Sequence, residues 1–522
     1  MPIRRITLGD IIREHRRSYA DAIAVVDGAH RNSWPEFDDR VNRLANALLG
    51  EGVTRGDRVL WLGQNSFRIY ELLGACAKVG AMVCPAYWRW APPEMAYAIQ
   101  DFSPTVIIWQ DQEIGDTVRQ ARAEIERRVP ARWLRHDTEG DGSYEAFLAS
   151  GSPEDPAQDV DPDGALLVIY SAAMYGRPVG SMLSHTNLIN QGMSTAWLAD
   201  IDHTGAFLNS GPMFHIGNFQ FFGITTLIHG GKNVVVRRVD AEEVLRIIAA
   251  ERCTHAYLMP PTIEQMVKLN ADRRYDLSSL RASFSPHLWG DMASPDTSRY
   301  ARSERGLGSG YGQTEVSGLA VFGGYGGKSI GNSGRPSPFT AVRILDRDGR
   351  ECGVGEPGEI CVKGDLVHLG YWNRPEINAE RFQHGCWHTT DVGQREADGS
   401  ITFLGTSTRM IKSAAENIFP VEVEMALESH PAVAEAAVIG IRNERWAQEV
   451  KAVVVLTEGS SATADEVIEH CRSQIASYKK PRTVEFVDAL PRTTSGAKDY
   501  DALDERFGGG GYPGGTNLGA GR

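Results

Sequence analysis

Short apolar runs rich in β-branched residues punctuate the chain (PTVIIW, ALLVIY, NVVVRR, HAYLMP, AEAAVIGI, KAVVVL), and the stretches between them carry helical patterns. That alternation constrains the fold more than any other feature. It predicts layered α/β architecture with largely parallel sheets. Between about residues 323 and 405 the texture changes to short strands and glycine turns, as in GGYGGKSIGNSGRP and GVGEPGEICVKG. This reads as a small β subdomain that closes the larger unit. After Gly405 a compact unit follows, with helices expected near 420–429 and 464–477. The ending GGGGYPGGTNLGAGR can bury nothing and reads as disordered. The division is therefore 1–406, 407–507 and a tail at 508–522.

A chain of 522 residues is too long for one core. The net charge of -13 argues against a general affinity for nucleic acid or anionic membrane. The opening MPIRRITLGDIIREH turns polar within a few residues, and no apolar run reaches the roughly 18 residues a bilayer span requires. These features imply a soluble, cytoplasmic protein. The seven cysteines are scattered without metal-ligand spacing and read as reduced, mostly buried thiols, so no metal site is expected.

One segment looks built for phosphate but lacks the means. YSAAMYGRPVGSMLSH, from Tyr170 to His185, follows the run ALLVIY. A phosphate loop uses glycine-rich backbone N–H groups with hydroxyls and a lysine to share the anion's charge. Here Ala172, Ala173, Met174 and Tyr175 fill the turn, and Val179 stands where a lysine is expected. Gly176 and Gly180 remain, so the scaffold is kept and the charge removed.

Further motifs follow in fixed order: PMFHIGNF, YGQTE, GEPGEI, WHTTDVG, MIKSAAENIFPVEVE and LPRTTSG. The ordered set resembles the acyl-adenylate-forming (ANL) superfamily of acyl-CoA synthetases, peptide-synthetase adenylation domains and luciferases. The resemblance implies a large N-terminal domain of α/β sheets plus a small β subdomain, and a small mobile α+β C-terminal domain. The site would lie between them. In that family a carboxylate first attacks ATP to give acyl-AMP and pyrophosphate, and CoA then attacks the acyl carbon and releases AMP.

By resemblance, Gly310, Tyr311, Gly312, Gln313, Thr314 and Glu315 form the adenylate site. Tyr311 would line the adenine, Thr314 the AMP phosphate, and Glu315 would hold Mg2+ on ATP. Asp391 would accept the ribose hydroxyls; Thr390 replaces the family's glycine before it, and Thr406 the arginine expected after Gly405. Phe214, His215, Phe219, Tyr257, Phe284 and His287 are expected at the acyl pocket, with Met259 and Trp289 nearby. His215 would also stand on the thiol path. Thr408 falls at the hinge, Lys412 near the phosphate or pantetheine path, and Ala414 and Ala415 replace the usual glycines there. Ala497 occupies the position of the adenylation lysine. Lys498 is next to it, but neighbouring side chains on an extended segment face opposite ways.

The losses in the loop and at Ala497 fall on the same half-reaction. The expected activity is that of a non-adenylating acyl-CoA ligase, which transfers the acyl group of a preformed acyl-AMP to CoA. It resembles the non-adenylating ligases of platensimycin- and platencin-type diterpenoid biosynthesis, which implies a bulky terpenoid acid. No tightly bound cofactor is expected; CoA and acyl-AMP are substrates, and a separate adenylating enzyme is the implied partner. Mg2+ is not relied on, because its usual ligands include pyrophosphate oxygens that this loop is unfit to hold. A homodimer is left open. Two other readings stand: a complete ATP-dependent synthetase in which Lys498 and backbone amides serve instead, and a catalytically silent protein that binds acyl-AMP.

Overall fold

The computed structural model describes residues 5–171, 174–283, 285–293, 310–323, 332–406, 409–413, 416–493 and 497–512. Two six-stranded sheets build the N-terminal domain. The first runs in the order Arg132–Arg135, Val106–Trp109, Arg58–Leu62, Met82–Pro85, Ala165–Ser171 and Val179–Ser184. All its neighbours are parallel except the last pair, an antiparallel hairpin. The second runs Ala282–Ser283, His255–Ala256, Ala206–Asn209, Lys232–Val235, Ile23–Asp27 and His30–Ser33, again parallel up to a terminal antiparallel pair. Val106–Trp109, Met82–Pro85 and Ala206–Asn209 are buried along their whole length. Helices cover both faces of such sheets, which is why these strands read as continuous apolar runs rather than alternating ones.

The helices between strands carry their own start and stop signals. Trp34–Gly50 begins at Ser33, whose hydroxyl accepts the Glu36 N–H while the Glu36 carboxylate accepts the Ser33 N–H, with Pro35 in the first turn. Arg68–Val79 ends at Gly80 in the left-handed region, at φ 82°. That helix is buried nearly all round, so its charged members must find partners inside. Glu71 accepts from Arg40 and Tyr144, and Lys78 donates to Asp38, Asn42 and Asp155.

The expected β subdomain is an eight-stranded antiparallel sheet. It begins at Gly310 rather than near 323, because Tyr311 pairs with Val321. Its long central strands are Cys386–Arg395, Ile401–Thr406 and Gly358–Gly364.

The C-terminal domain packs the helices Pro420–Glu428, Ala464–Gln474 and Tyr500–Phe507 on a five-stranded sheet. Here the largely parallel expectation is corrected. AEAAVIGI and KAVVVL lie in Val433–Asn443 and Ala447–Leu456, which form an antiparallel hairpin with Asn443 opposite Ala447. The gap between them is too short for a parallel crossover. The tail is corrected too. Gly508 caps the last helix at φ 79°, and Tyr512 is 6% exposed within the domain core. Its hydroxyl accepts the Gly440 N–H at 3.0 Å and donates to Asp504 at 2.9 Å. The single aromatic of the glycine-rich ending thus has a core to join, and the ordered chain reaches at least Tyr512. Residues 513–522 lie outside the described residues.

The two domains meet through a buried ionic clamp. Lys479 Nζ lies 2.8 Å from Glu94 Oε1 of the large domain and 2.5 Å from Glu422 Oε1 of the small one. All three residues are buried. Burial, reinforced by Glu94 and partly offset by Lys479, pushes the Glu422 carboxyl up to about 7. Beside the clamp Tyr478 meets Tyr87 edge-on, ring centroids 5.9 Å apart. Among the described residues, no helix is long and apolar enough to cross a membrane.

Candidate active site

Two strands of the β sheet bring the first group together. Tyr311 ends Gly310–Tyr311, and Asp391 lies in Cys386–Arg395 opposite Thr406. The Tyr311 hydroxyl donates to Asp391 Oδ2 at 2.9 Å, and Gln313 Nε2 donates to the same oxygen at 2.6 Å and to the Thr389 carbonyl at 3.1 Å. Burial nevertheless outweighs these donors and pushes the Asp391 carboxyl up to about 6. Gly312 leaves no room for a side chain, since a Cβ there would lie 1.6 Å from the Gly318 carbonyl oxygen. Thr314 and Glu315 form the following turn, Thr314–Val316. Thr390, where the family resemblance expects glycine, sits at φ 65°, a left-handed conformation that a β-branched residue adopts only under strain. Its N–H is held by Glu359 Oε1 at 2.7 Å.

The degenerate loop joins the hairpin strands Ala165–Ser171 and Val179–Ser184. Val179 is 2% exposed, in one apolar cluster with Tyr311, Val316 and Tyr371. A buried arginine closes the loop from the other side. Arg381, at the end of the helix Pro375–Arg381, donates through Nε to the Tyr175 hydroxyl at 2.8 Å and approaches Met174 Sδ at 3.6 Å. Glu315 is buried as well and accepts the Tyr371 hydroxyl at 2.8 Å. Burial raises its carboxyl above the ordinary range, against the pull of its hydrogen bonds and Arg381. Gly176, at φ 82°, lies under the first helix of the small domain, where an added Cβ would stand 2.5 Å from Met425 Sδ. Ala172 and Ala173 lie outside the described residues.

On the thiol side, Phe214 packs edge-on against Tyr87, with centroids 4.4 Å apart. The ring of His215 is reachable by solvent yet densely walled by protein, as for a group lining a cleft. Its Nδ1 accepts the Gly217 N–H at 3.1 Å, which leaves the proton of the neutral ring on Nε2. Burial, then the Lys412 ammonium across the domain boundary, holds the imidazole below its ordinary range. Lys412 donates to Asn417 Oδ1 at 2.6 Å, and burial lowers its own pKa against the opposing effect of Glu416.

Other expected residues fall elsewhere. Phe219 is a correction: it is fully buried in the main core against Tyr70, at 5.5 Å, and lines no open pocket. Trp289 is likewise core, donating to Ser283 Oγ at 2.9 Å. Tyr257 stacks on Phe222 at 3.8 Å, while His287 and Met259 are exposed. Phe284, Thr408, Ala414 and Ala415 lie outside the described residues.

Ala497 is exposed. Lys498 turns to its own domain and donates to Glu424 at 3.0 Å, Glu428 at 3.1 Å and the Ala436 carbonyl at 2.6 Å. Burial opposes its charge, but the two glutamates more than offset this. Arg381 and Tyr371 were not anticipated, since no motif surrounds them. A surface cleft of about 560 Å³ lined by Tyr97, Asp101, Arg128 and Arg177 shares no residue with this constellation.

Comparison with known proteins gives the same frame. Residues 12–372 match the AMP-binding enzyme family, and residues 422–497 match the AMP-binding enzyme C-terminal domain. The chain is 36% identical to a feruloyl-CoA synthase of an Amycolatopsis species, over 93% of this chain and 96% of that one. It is 33% identical to the indoleacetate–CoA ligase of Aromatoleum aromaticum, over 89% and 91%. The amide bond synthetase McbA of Marinactinospora thermotolerans superposes with a TM-score of 0.78 at 25% identity, over 96% of this chain and all of that one. The chain has the ANL fold and belongs to the AMP-binding enzyme family, within its acyl-CoA ligase and synthetase class.

Proposed function

We propose that this protein performs the thioester half-reaction alone, transferring the acyl group of a preformed acyl-AMP to CoA. The observation that carries the reading is the filled loop. Tyr175 and Met174, tied to Arg381, together with buried Val179, occupy the place of the hydroxyls and lysine of a phosphate cradle. Ala497 and the engaged Lys498 supply no second cation. Removing one preorganised donor to developing charge costs about 10²–10³ in rate, and here two positions are affected. Glu315 is buried and already accepts the Tyr371 hydroxyl, which argues against its holding Mg2+, so no step is routed through the metal.

In the remaining step the CoA sulfur bonds to the acyl carbon, the carbon–oxygen bond to phosphate breaks, and AMP leaves with the electron pair. The thiol proton goes to solvent. Acyl-AMP is a mixed anhydride, so positioning and thiol access count for more than covalent catalysis. Tyr311, Gln313 and Asp391 would hold the adenosine, while neutral His215 flanks the thiol path with Lys412 opposite. A separate adenylating enzyme would supply the acyl-AMP. The resemblance to diterpenoid-pathway ligases favours a bulky acyl group.

A second reading, a complete ATP-dependent synthetase, is favoured by the relatives named as CoA synthases and ligases. One pair of assays separates the two. Free acid with ATP and CoA is followed by pyrophosphate release, and synthetic acyl-AMP with CoA by thioester formation. Thioester without pyrophosphate is expected. Pyrophosphate release at ordinary synthetase rates, without any partner enzyme, would install the second reading. Binding of acyl-AMP with neither rate would instead mark a silent binder.

A further inference from the structure

On the strand that carries Asp391, the β sheet gathers a set of metal-type donors. Cys361 lies directly opposite His388 in neighbouring antiparallel strands, and Cys386 is two residues before His388 on the same strand face. One donor atom from each of the three lies within 4.8 Å of the other two. Cys361 Sγ is 3.5 Å from His388 Nδ1. That is the separation, about 3.5 Å, of a sulfur and a nitrogen sharing a tetrahedral zinc at ordinary bond lengths. Glu359 Oε2 is 2.8 Å from the same Nδ1, a hydrogen bond that a metal bound there would displace. The other ring nitrogen, Nε2, already meets His384 Nδ1 at 3.1 Å, an outer contact of the kind that fixes a ligating imidazole.

The geometry points to a zinc(II) site formed by Cys361, Cys386 and His388, with water completing the tetrahedron. Two thiolates carry two negative charges, which the ion's two positive ones balance. Zinc is bound by thiolates, so capture of the ion releases the thiol protons. Glu359 is only partly buried and offers the ion a route in. The soft sulfur pair with imidazole selects zinc over magnesium or calcium. Cys386 and His388 share the strand of Asp391, so the ion would brace the strand that carries the adenylate-site carboxylate.

The test uses the full-length protein, reduced and stripped of metal, then equilibrated with zinc and desalted. About one zinc per chain should remain, and about two protons should be released per ion taken up. Cobalt(II) in its place should show a thiolate-to-metal charge-transfer band. Cys386→Ser and His388→Gln should each weaken zinc binding tenfold or more. If Cys386→Ser does not fold, the partly exposed His388→Gln decides. No retained zinc, a cobalt spectrum without the thiolate band, or folded variants that hold zinc as well as the parent would each overturn the site. So would formation of a Cys361–Cys386 disulfide in place of metal uptake, seen as loss of two titratable thiols.

Discussion

Asp391 offers the sharpest test of the adenylate site. Its buried carboxyl already accepts from Tyr311 and Gln313, yet remains pushed up to about 6. Ribose hydroxyls are donors, so a ligand that uses them prefers the ionised acceptor and releases a proton where the group is still neutral. The sign follows: affinity rises with pH through about 6 and levels above it. At one unit below that value only about a tenth of the carboxyl is ionised, which weakens binding about tenfold. Asp391→Ala leaves the Tyr311 hydroxyl, the Gln313 amide and the ribose without their acceptor. The loss should be about 1–3 kcal/mol, or roughly 5- to 150-fold in Kd. Calorimetric titration with a non-hydrolysable acyl-sulfamoyl adenosine from pH 5 to 8 is the assay, because AMP's own phosphate titrates near 6 and would confuse the profile. A flat profile for the parent, or an unchanged Kd for folded Asp391→Ala, would refute the assignment.

Thr390→Gly should stabilise the protein by about 1 kcal/mol, since relief of a strained left-handed threonine exceeds the entropy cost of glycine; thermal unfolding measures it, and a fall in Tm would contradict it. Glu422 has its carboxyl raised from 4.5 to about 7 when the domains are docked. The docked state therefore holds the extra proton, so docking is most stable below about 4.5 and weakens as pH rises toward 7. Interdomain fluorescence transfer should follow that slope, and Glu422→Gln should flatten it. The quadruple variant Met174→Thr, Tyr175→Thr, Val179→Lys and Ala497→Lys should gain acid-dependent pyrophosphate release. Single changes should gain little, because groups acting in one transition state are not additive; equal gains from Val179→Lys alone would undo the filled-loop argument.

The sequence carried the sheets of the large domain because strands buried on both faces leave long apolar runs. Tyr311 and Asp391 stood out through their motifs, and the fold joins them by a hydrogen bond across a separation of 80 residues. Arg381 escaped notice for the opposite reason: it ends a short helix in no motif, and its role exists only because Tyr175 has entered the loop. Phe219 misled because an aromatic beside the site motif looks the same whether it faces a ligand or Tyr70. The Cys361, Cys386 and His388 cluster depends on antiparallel register, which a linear spacing does not reveal. Tyr512 was hidden by the glycines around it, although one aromatic anchor is enough to dock such a segment.

The lysine shared by Glu94 and Glu422 sets the pose of the small domain more than its grip. Buried ion pairs add little net stability over well-packed apolar contacts, because desolvation cancels most of their attraction. Misplacing one partner is costly in a way that misplacing a leucine is not. A domain docked an ångström out of register would leave a charge in the dry interior without its counterion. The clamp therefore acts as a keyed joint: it tolerates separation at modest expense and rejects near-misses, so that the segment bearing Lys412 meets His215 in one alignment only.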